Sequence, residues 1–247
     1  MRYLILTDIH ANLEALDTCL ADAKPRGYDQ VLVLGDLIGY GADPNAVVTR
    51  VQRLNPTAIV RGNHDKIARG LEEADGFNVV ARSAAEWTLN ALTPEIRQWL
   101  VDLPQGPHDV DDLVEICHGS PFDEDAYIFD ELDALKALQT SKRPLCLFGH
   151  THYPVTFELV GDALSATGPA AASETRLELR DDVKYLLNPG SVGQPRDGDP
   201  RAAYAIVDTA KKQVELMRLT YPIEQAQAKV IAAGLPEVLA RRLGVGR

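Results

Sequence analysis

The sequence predicts an α/β fold organised around a mainly parallel sheet, and three features carry that expectation. Short apolar, β-prone runs recur from the first residues; each passes through a polar loop into a helical pattern; and each loop carries a carboxylate, amide or imidazole where the run ends. Successive β-loop-α units close with right-handed crossovers, which gather their strand tips at one edge. In such sheets ligands bind in the crevice beyond the carboxyl ends of the strands, so polar residues placed there face a ligand.

The elements follow in order. Residues 2–7, RYLILT, read as a first strand that ends in Asp8-Ile9-His10. Leu13, Leu16, Cys19 and Leu20 recur at three and four, which predicts a helix over 11–23, ended by Pro25 and Gly27. A second strand over 30–34 delivers Gly35-Asp36, and Asp43-Pro44 opens a helix to about residue 54 as cap and first position. The third repetition is Thr57–Asp65: Ala58-Ile59-Val60 breaks off into Arg61-Gly62-Asn63-His64-Asp65. Residues 68–102 read as a helical cover, with Thr93-Pro94-Glu95 opening its second helix. A strand over 112–117 delivers His118, a helix spans 129–140, and a strand over 144–148 delivers Gly149-His150-Thr151-His152.

Beyond residue 153 the pattern changes. Strand-like runs at 154–160, 176–179, 184–187, 203–208 and 213–219 have few helices between them, which predicts an antiparallel second sheet. Residues 161–175, GDALSATGPAAASET, are small and polar enough for a mobile hairpin loop, whereas 188–196, NPGSVGQPR, is stiffened by Gly and Pro and suited to gripping something. Helical patterns at 222–233 and 236–243 close the chain. Residues 1–247 are expected to form one domain, since α/β folds reach this length on a single core.

Composition narrows the function. With 45% apolar and 25% charged residues the chain is ordinary for a soluble globular protein. A net charge of −11 and a pI near 5.0 argue against general nucleic-acid binding and imply that an anionic substrate needs help from metal ions. Cys19, Cys117 and Cys146 lie far apart without C-x-x-C spacing and read as reduced thiols. The apolar run at the start is too short for a signal peptide, and none approaches the roughly 18 residues of a membrane span, so a cytoplasmic protein without membrane contact is expected.

Five of the 6 histidines, His10, His64, His118, His150 and His152, fall at ends of predicted strands; only His108 is left over. With Asp8, Asp36 and Asn63 they offer mixed oxygen and imidazole ligands, which suit Mn, Fe, Zn, Ni or Co better than magnesium or calcium. In Asp8-x-His10 and His150-x-His152 an extended segment would put both side chains on one side. Each short motif alone is also ordinary turn chemistry. Together they exceed one tetrahedral metal and match two metals sharing a bridging carboxylate.

Asp8-x-His10, Gly35-Asp36, Gly62-Asn63-His64-Asp65, the lone His118 and Gly149-His150-x-His152 resemble the ordered motif set of calcineurin-like metallophosphoesterases, and Asn188-Pro189-Gly190-Ser191 resembles their small prokaryotic phosphodiesterase branch. The resemblance implies a four-layer αββα sandwich of two mixed sheets with helices outside. It assigns Asp8, His10 and His152 to one metal and Asn63, His118 and His150 to the other, with Asp36 bridging. His64 would be the proton donor or transition-state stabiliser beside the leaving group. The reaction implied is in-line attack of a metal-bridging hydroxide on a small phosphorylated substrate, with manganese among the candidate metals. Asn12, Tyr40, Arg61 and Arg196 are the candidates for contacting phosphate or substrate.

One departure bears on the substrate. The protein phosphatase branch carries Asp and Arg three and four residues after the bridging Asp, where this chain has Gly39 and Tyr40. Without that His-orienting carboxylate and phosphate-gripping guanidinium, a small phosphodiester or nucleotide is favoured over a phosphoprotein, with Arg196 supplying the missing charge. The alternatives are hydrolysis of dinucleoside polyphosphates or other pyrophosphate bonds, and a non-catalytic scaffold such as the family's retromer subunit.

Overall fold

The first three β-prone runs form parallel strands because each is apolar on alternate residues in both directions. A computed structural model describes residues 1–247. In it β1 (Arg2–Leu6) pairs with β2 (Gln30–Val33), Leu4 opposite Val31 and Leu6 opposite Val33, and β2 pairs with the short β3 (Ala58–Ile59). The crossovers are α1 (Leu13–Arg26) and α2 (Pro44–Leu54). Asn12 caps α1 by accepting the Ala15 amide, and Pro25 sits inside its last turn before Gly27 ends it, so the helix outlasts the sequence expectation. Asp43 precedes Pro44 at the start of α2 but makes no side-chain capping bond; its carboxylate pairs with Lys229 at 2.6 Å.

The helical cover resolves into two 3-10 turns, Asp65–Arg69 and Leu71–Ala74, followed by α3 (Val79–Ala91) and α4 (Pro94–Val101). Then come β4 (His108–Asp109), β5 (Val114–Ile116), α5 (Glu131–Thr140) and β6 (Leu145–Leu147), with β5 and β6 parallel. The remainder comprises β7 (Val155–Val160), β8 (Ala163–Thr167), β9 (Glu174–Glu178), β10 (Lys184–Asn188), β11 (Ala202–Asp208), β12 (Gln213–Leu219), α6 (Ile223–Ala232) and α7 (Glu237–Val245).

Two expectations need correction. Residues 161–175 are not one long loop: β8 folds back on β7 as a hairpin, and β9 begins at Glu174. The late strands do not make a sheet of their own. They divide between two mixed sheets, ordered β3-β2-β1-β11-β12-β9 and β4-β5-β6-β10-β7-β8. The physical reason is that β1 and β6 each have a free long edge in a buried setting. An antiparallel β11 fills the first, Leu4 opposite Ile206, and a parallel β10 fills the second, Leu186 opposite Cys146.

The period-2 alternation of the strands then decides the layers. Tyr3, Ile5, Leu32 and Val207 of the first sheet bury against Val114, Leu145 and Leu187 of the second. Leu4, Leu6 and Val33 point the other way, beneath Leu16, Val47 and Val51 of the crossover helices, while Cys146 and Phe148 of the second sheet lie under Ala134 and Leu138 of α5. The result is a four-layer αββα sandwich whose central strands are apolar on both faces. Ile5 is completely buried between the sheets, and its truncation to alanine is expected to cost ~2–5 kcal/mol.

Candidate metal centre

The tips of β1, β2 and β3 in one sheet meet the tips of β5 and β6 in the other, and the polar residues that follow those strands converge. Asp8, His10, Asp36, His118, His150 and His152 are all buried, none more than 4% exposed. Their ligand atoms form two groups, Asp8-His10-Asp36-His152 and Asp36-His118-His150, each with its atoms within 4.8 Å of one another. Asp36 belongs to both. Its Oδ2 lies 3.4 Å from His10 Nε2 and 3.5 Å from His118 Nε2, and Asp8 Oδ1 lies 3.4 Å from His152 Nε2. Asn63 Oδ1 approaches His118 Nε2 at 3.2 Å.

The side chains do not converge by the extended geometry expected of an x-spaced pair. Asp8, His10, Asp36, His150 and His152 all have φ between 48° and 64°, in the left-handed region. Such residues cost ~1–3 kcal/mol each and persist only where the surroundings hold them. Here the loops hold one another. The Asp8 and His10 amides donate to the Gly35 and Asp36 carbonyls, and the His150 amide donates to Asp8 Oδ1 at 3.1 Å. The end of β10 and the loop after it brace the rest: Asn188 Nδ2 donates to Gly149 O at 2.7 Å and Thr151 Oγ1 at 3.0 Å, and Ser191 Oγ donates to Asp8 O at 2.8 Å. The Gly/Pro stretch at 188–196 thus grips the ligand loops themselves. Asp65 does similar service, taking the Leu37 and Gly62 amides on its two oxygens, each at 2.9 Å.

The histidines are oriented from behind. Nδ1 of His10, His118 and His152 lies 3.0, 2.8 and 2.6 Å from the carbonyls of Ile38, Leu34 and Gln194, which fixes the proton on Nδ1 and turns Nε2 inward. His150 is reversed, with Nε2 on the Asp125 carbonyl at 3.1 Å and Nδ1 left for the cluster. Consequently His10 Nε2 and His152 Nε2, 3.0 Å apart, present two lone pairs to each other with no proton between them. A cation resolves that contact. This donor set, neutral imidazoles with carboxylate and amide oxygens, fits divalent metal ions.

Electrostatics point the same way. Burial pushes Asp8 up to about 7 and depresses His150 to about 3 and His64 to about 4. Burial works against a charge on His118 too, yet the Asp36 carboxylate outweighs it and lifts His118 to about 10; burial would raise Asp36, but His118 and His64 hold it well below the usual carboxylate range. The proton that Asp36 draws onto His118 stands where a divalent cation would serve.

A cleft of about 370 Å³ opens over the cluster and is lined by Asp36, Asn63, His150, His152 and the remaining groups of interest, His64, Tyr40 and Arg196. His64 is packed between Tyr40 and Phe77, ring centroids 4.4 and 4.6 Å away, and its Nδ1 has no hydrogen-bond partner. Arg196 makes no ion pair; one Nη donates to Gln194 Oε1 at 3.0 Å, and the guanidinium lies 5.8 Å from the Tyr40 ring. Two candidates lie elsewhere. Asn12 is spent on capping α1 and on Gly193 O and Tyr221, and the Arg61 guanidinium is held bidentately by Glu124, so neither lines the cleft. Tyr127, Phe77 and Lys66 do line it and escaped sequence reasoning. The one signal was aromatic residues inside the otherwise acidic loop DEDAYIFD at 123–130.

Comparison with known proteins decides the family. A model of the calcineurin-like phosphoesterase superfamily domain matches residues 1–212. The chain belongs to that superfamily. A curated relative from Methanocaldococcus jannaschii, uncharacterized protein MJ0912, is 37% identical over 98% of this chain and 97% of its own length. Among solved structures, a metallophosphoesterase from Sphaerobacter thermophilus is 38% identical with a TM-score of 0.87, covering 100% of this chain and 99% of that one. Hypothetical protein PH1004 from Pyrococcus horikoshii OT3, 20% identical, shares the fold with a TM-score of 0.80 over 100% of this chain and 98% of its own. This calcineurin-like phosphoesterase is therefore a phosphoric ester hydrolase, and its His/Asp groups suit divalent metal binding. No helix is long and apolar enough to cross a membrane.

Proposed function

We propose that the chain is a cytoplasmic phosphodiesterase that holds two divalent transition metal ions, manganese foremost among Mn, Fe, Zn, Ni and Co, and hydrolyses a small organic phosphodiester or nucleotide. The observation that carries this reading is Asp36 shared between two ligand groups, with inward-facing imidazole lone pairs on either side. Asp8, His10 and His152 would hold one ion, Asn63, His118 and His150 the other, and Asp36 both. Bound there, the metals supply Lewis acidity, lowering the pKa of water and neutralising phosphoryl charge.

The protein's own groups would do the rest. His64 stands at the cleft on the Asn63 loop, neutral at pH 7, where its imidazole can donate a hydrogen bond to the departing oxygen. Its backbone N–H donates to Asp36 Oδ1 at 2.8 Å, so hydrogen-bond donor and proposed bridge are fixed by one turn. Arg196, free of a carboxylate partner, is placed to meet a phosphoryl oxygen in the role that Arg plays in other branches. The whole chain would act as one domain: Leu243 of α7 and Ala226 of α6 share a core with Leu4 of β1.

The test is hydrolysis of a generic aryl phosphodiester by the manganese-loaded protein. His64→Ala and Asp36→Asn should each abolish turnover, by ~10²-fold or more. Unchanged turnover in either variant would sink the assignment, and a panel of mono-, di- and pyrophosphate esters, diadenosine tetraphosphate included, would show which bond is preferred.

A further inference from the structure

The cleft wall on the His150 side continues outward as a ladder of aromatic rings. Tyr127 stacks on His150 with centroids 3.8 Å apart and an interplanar angle of 27°, and Phe129 stacks on Tyr127 at 4.9 Å and 7°. Phe129 is 74% exposed and Tyr127 42% exposed, so this apolar surface is left open to water. Other apolar side chains are as exposed, Val79 at 86% and Leu132 at 77%, so what sets Phe129 apart is that its ring is stacked in register with rings that lead into the cleft. The loop is not slack: Lys66 pairs with Asp125 at 2.5 Å, and Asp125 O receives His150 Nε2, tying the aromatic ladder to a residue of the metal cluster.

We propose that the outer face of Phe129, backed by Tyr127, forms a stacking platform for a planar ring of the substrate, and that the physiological phosphoester therefore carries a nucleobase. This deepens the phosphodiesterase reading and rests on it. Three features of the site fit a nucleotide in particular. The ladder starts at a residue of the metal cluster, so phosphate and ring would be held by adjoining groups. The cleft volume of about 370 Å³ falls at the small end of the range for organic ligands, ~300–1,000 Å³. Phe129 offers an open ring face, and stacking on a ring face is tolerant among bases.

The experiment compares the adenosin-5′-yl and methyl esters of p-nitrophenyl phosphate, two phosphodiesters with the same p-nitrophenolate leaving group. The expected kcat/KM ratio favours the adenosine ester by ~10-fold or more in the natural protein, collapses towards unity in Phe129→Ala, and is restored in Phe129→Trp. Calorimetric binding of AMP and methyl phosphate provides an arm that needs no turnover: AMP tighter by ~10-fold, with the difference lost in Phe129→Ala, upholds the platform even if neither ester is cleaved. Equal affinities for AMP and methyl phosphate overturn it while leaving phosphodiester hydrolysis intact. So does a Phe129→Ala variant that keeps the AMP preference but changes oligomeric state, since the exposed rings would then cover a second copy of the chain.

Discussion

Gly39 lies flat against the imidazole of His64. A Cβ at Gly39 would stand 2.9 Å from His64 Cγ and closer still to Nδ1, and the residue has φ of +88°. This is the position where the protein phosphatase branch carries its His-orienting carboxylate. Here contact with a bare backbone, flanked by Tyr40 and Phe77, replaces a hydrogen bond as the means of holding the ring.

Gly39→Ala should therefore displace His64 while sparing the metal ligands. A fall in kcat of ~10-fold or more is expected from misplacing this hydrogen-bond donor, with ~1–3 kcal/mol lost in stability from backbone strain. Metal content by mass spectrometry should match that of the natural protein. Full activity in Gly39→Ala would mean that the orientation of His64 is immaterial.

Asn188 reaches no substrate, yet it binds Gly149 O, Thr151 Oγ1 and the Gly190 amide while 1% exposed. Asn188→Ala should weaken metal retention by ~10–100-fold, since it frees the loop that carries His150 and His152. Equilibrium dialysis against manganese reads this directly. Metal affinity equal to that of the natural protein would reduce Asn188 to a turn former.

The metal-free protein should lose stability on acidification from about pH 6.5 to pH 5. Burial holds His64 near 4 and His150 near 3, and drives His10 and His152 well below their usual range, so in this window all four bind protons only when unfolded. Asp8 and Asp65, both pushed up to about 7 by burial, act in the opposite sense, because they bind protons only when folded; His118, near 10 in the fold, opposes weakly and only at the top of the window, where the unfolded residue is half protonated, and is charged in both states by pH 5. Four groups outweigh two, and stability rises with pH. Urea midpoints in chelator at pH 6.5 and pH 5 check the sign, and a higher midpoint at pH 5 would contradict it.

The convergence of the candidate residues was legible in sequence because each follows an apolar run, and an α/β sheet leaves such residues at one edge. Asp8, Asp36, Asn63, His118, His150 and His152 needed nothing more. What the pattern missed was long-range. Residues 203–208 read as part of a separate antiparallel sheet, although all seven residues of β11 are buried, as expected of a strand covered on both faces beside β1. Local alternation identifies a strand but not its neighbour. The left-handed φ of Asp8 and His150 likewise arises from contacts between loops far apart in sequence, such as the His150 amide on Asp8. Tyr127 and Phe77 reach the cleft by loop paths that carry no periodic signal at all. Arg61 misled for the opposite reason: its partner Glu124 lies 63 residues away.

The most direct measurement is the metal content of protein purified without chelators, natural and Asp36→Asn side by side, by plasma mass spectrometry. Two equivalents of a divalent transition metal per chain in the natural protein, and clear loss from the variant, are the expected result. Retention of none by the natural protein, with no uptake of added manganese, would contradict the shared-carboxylate centre.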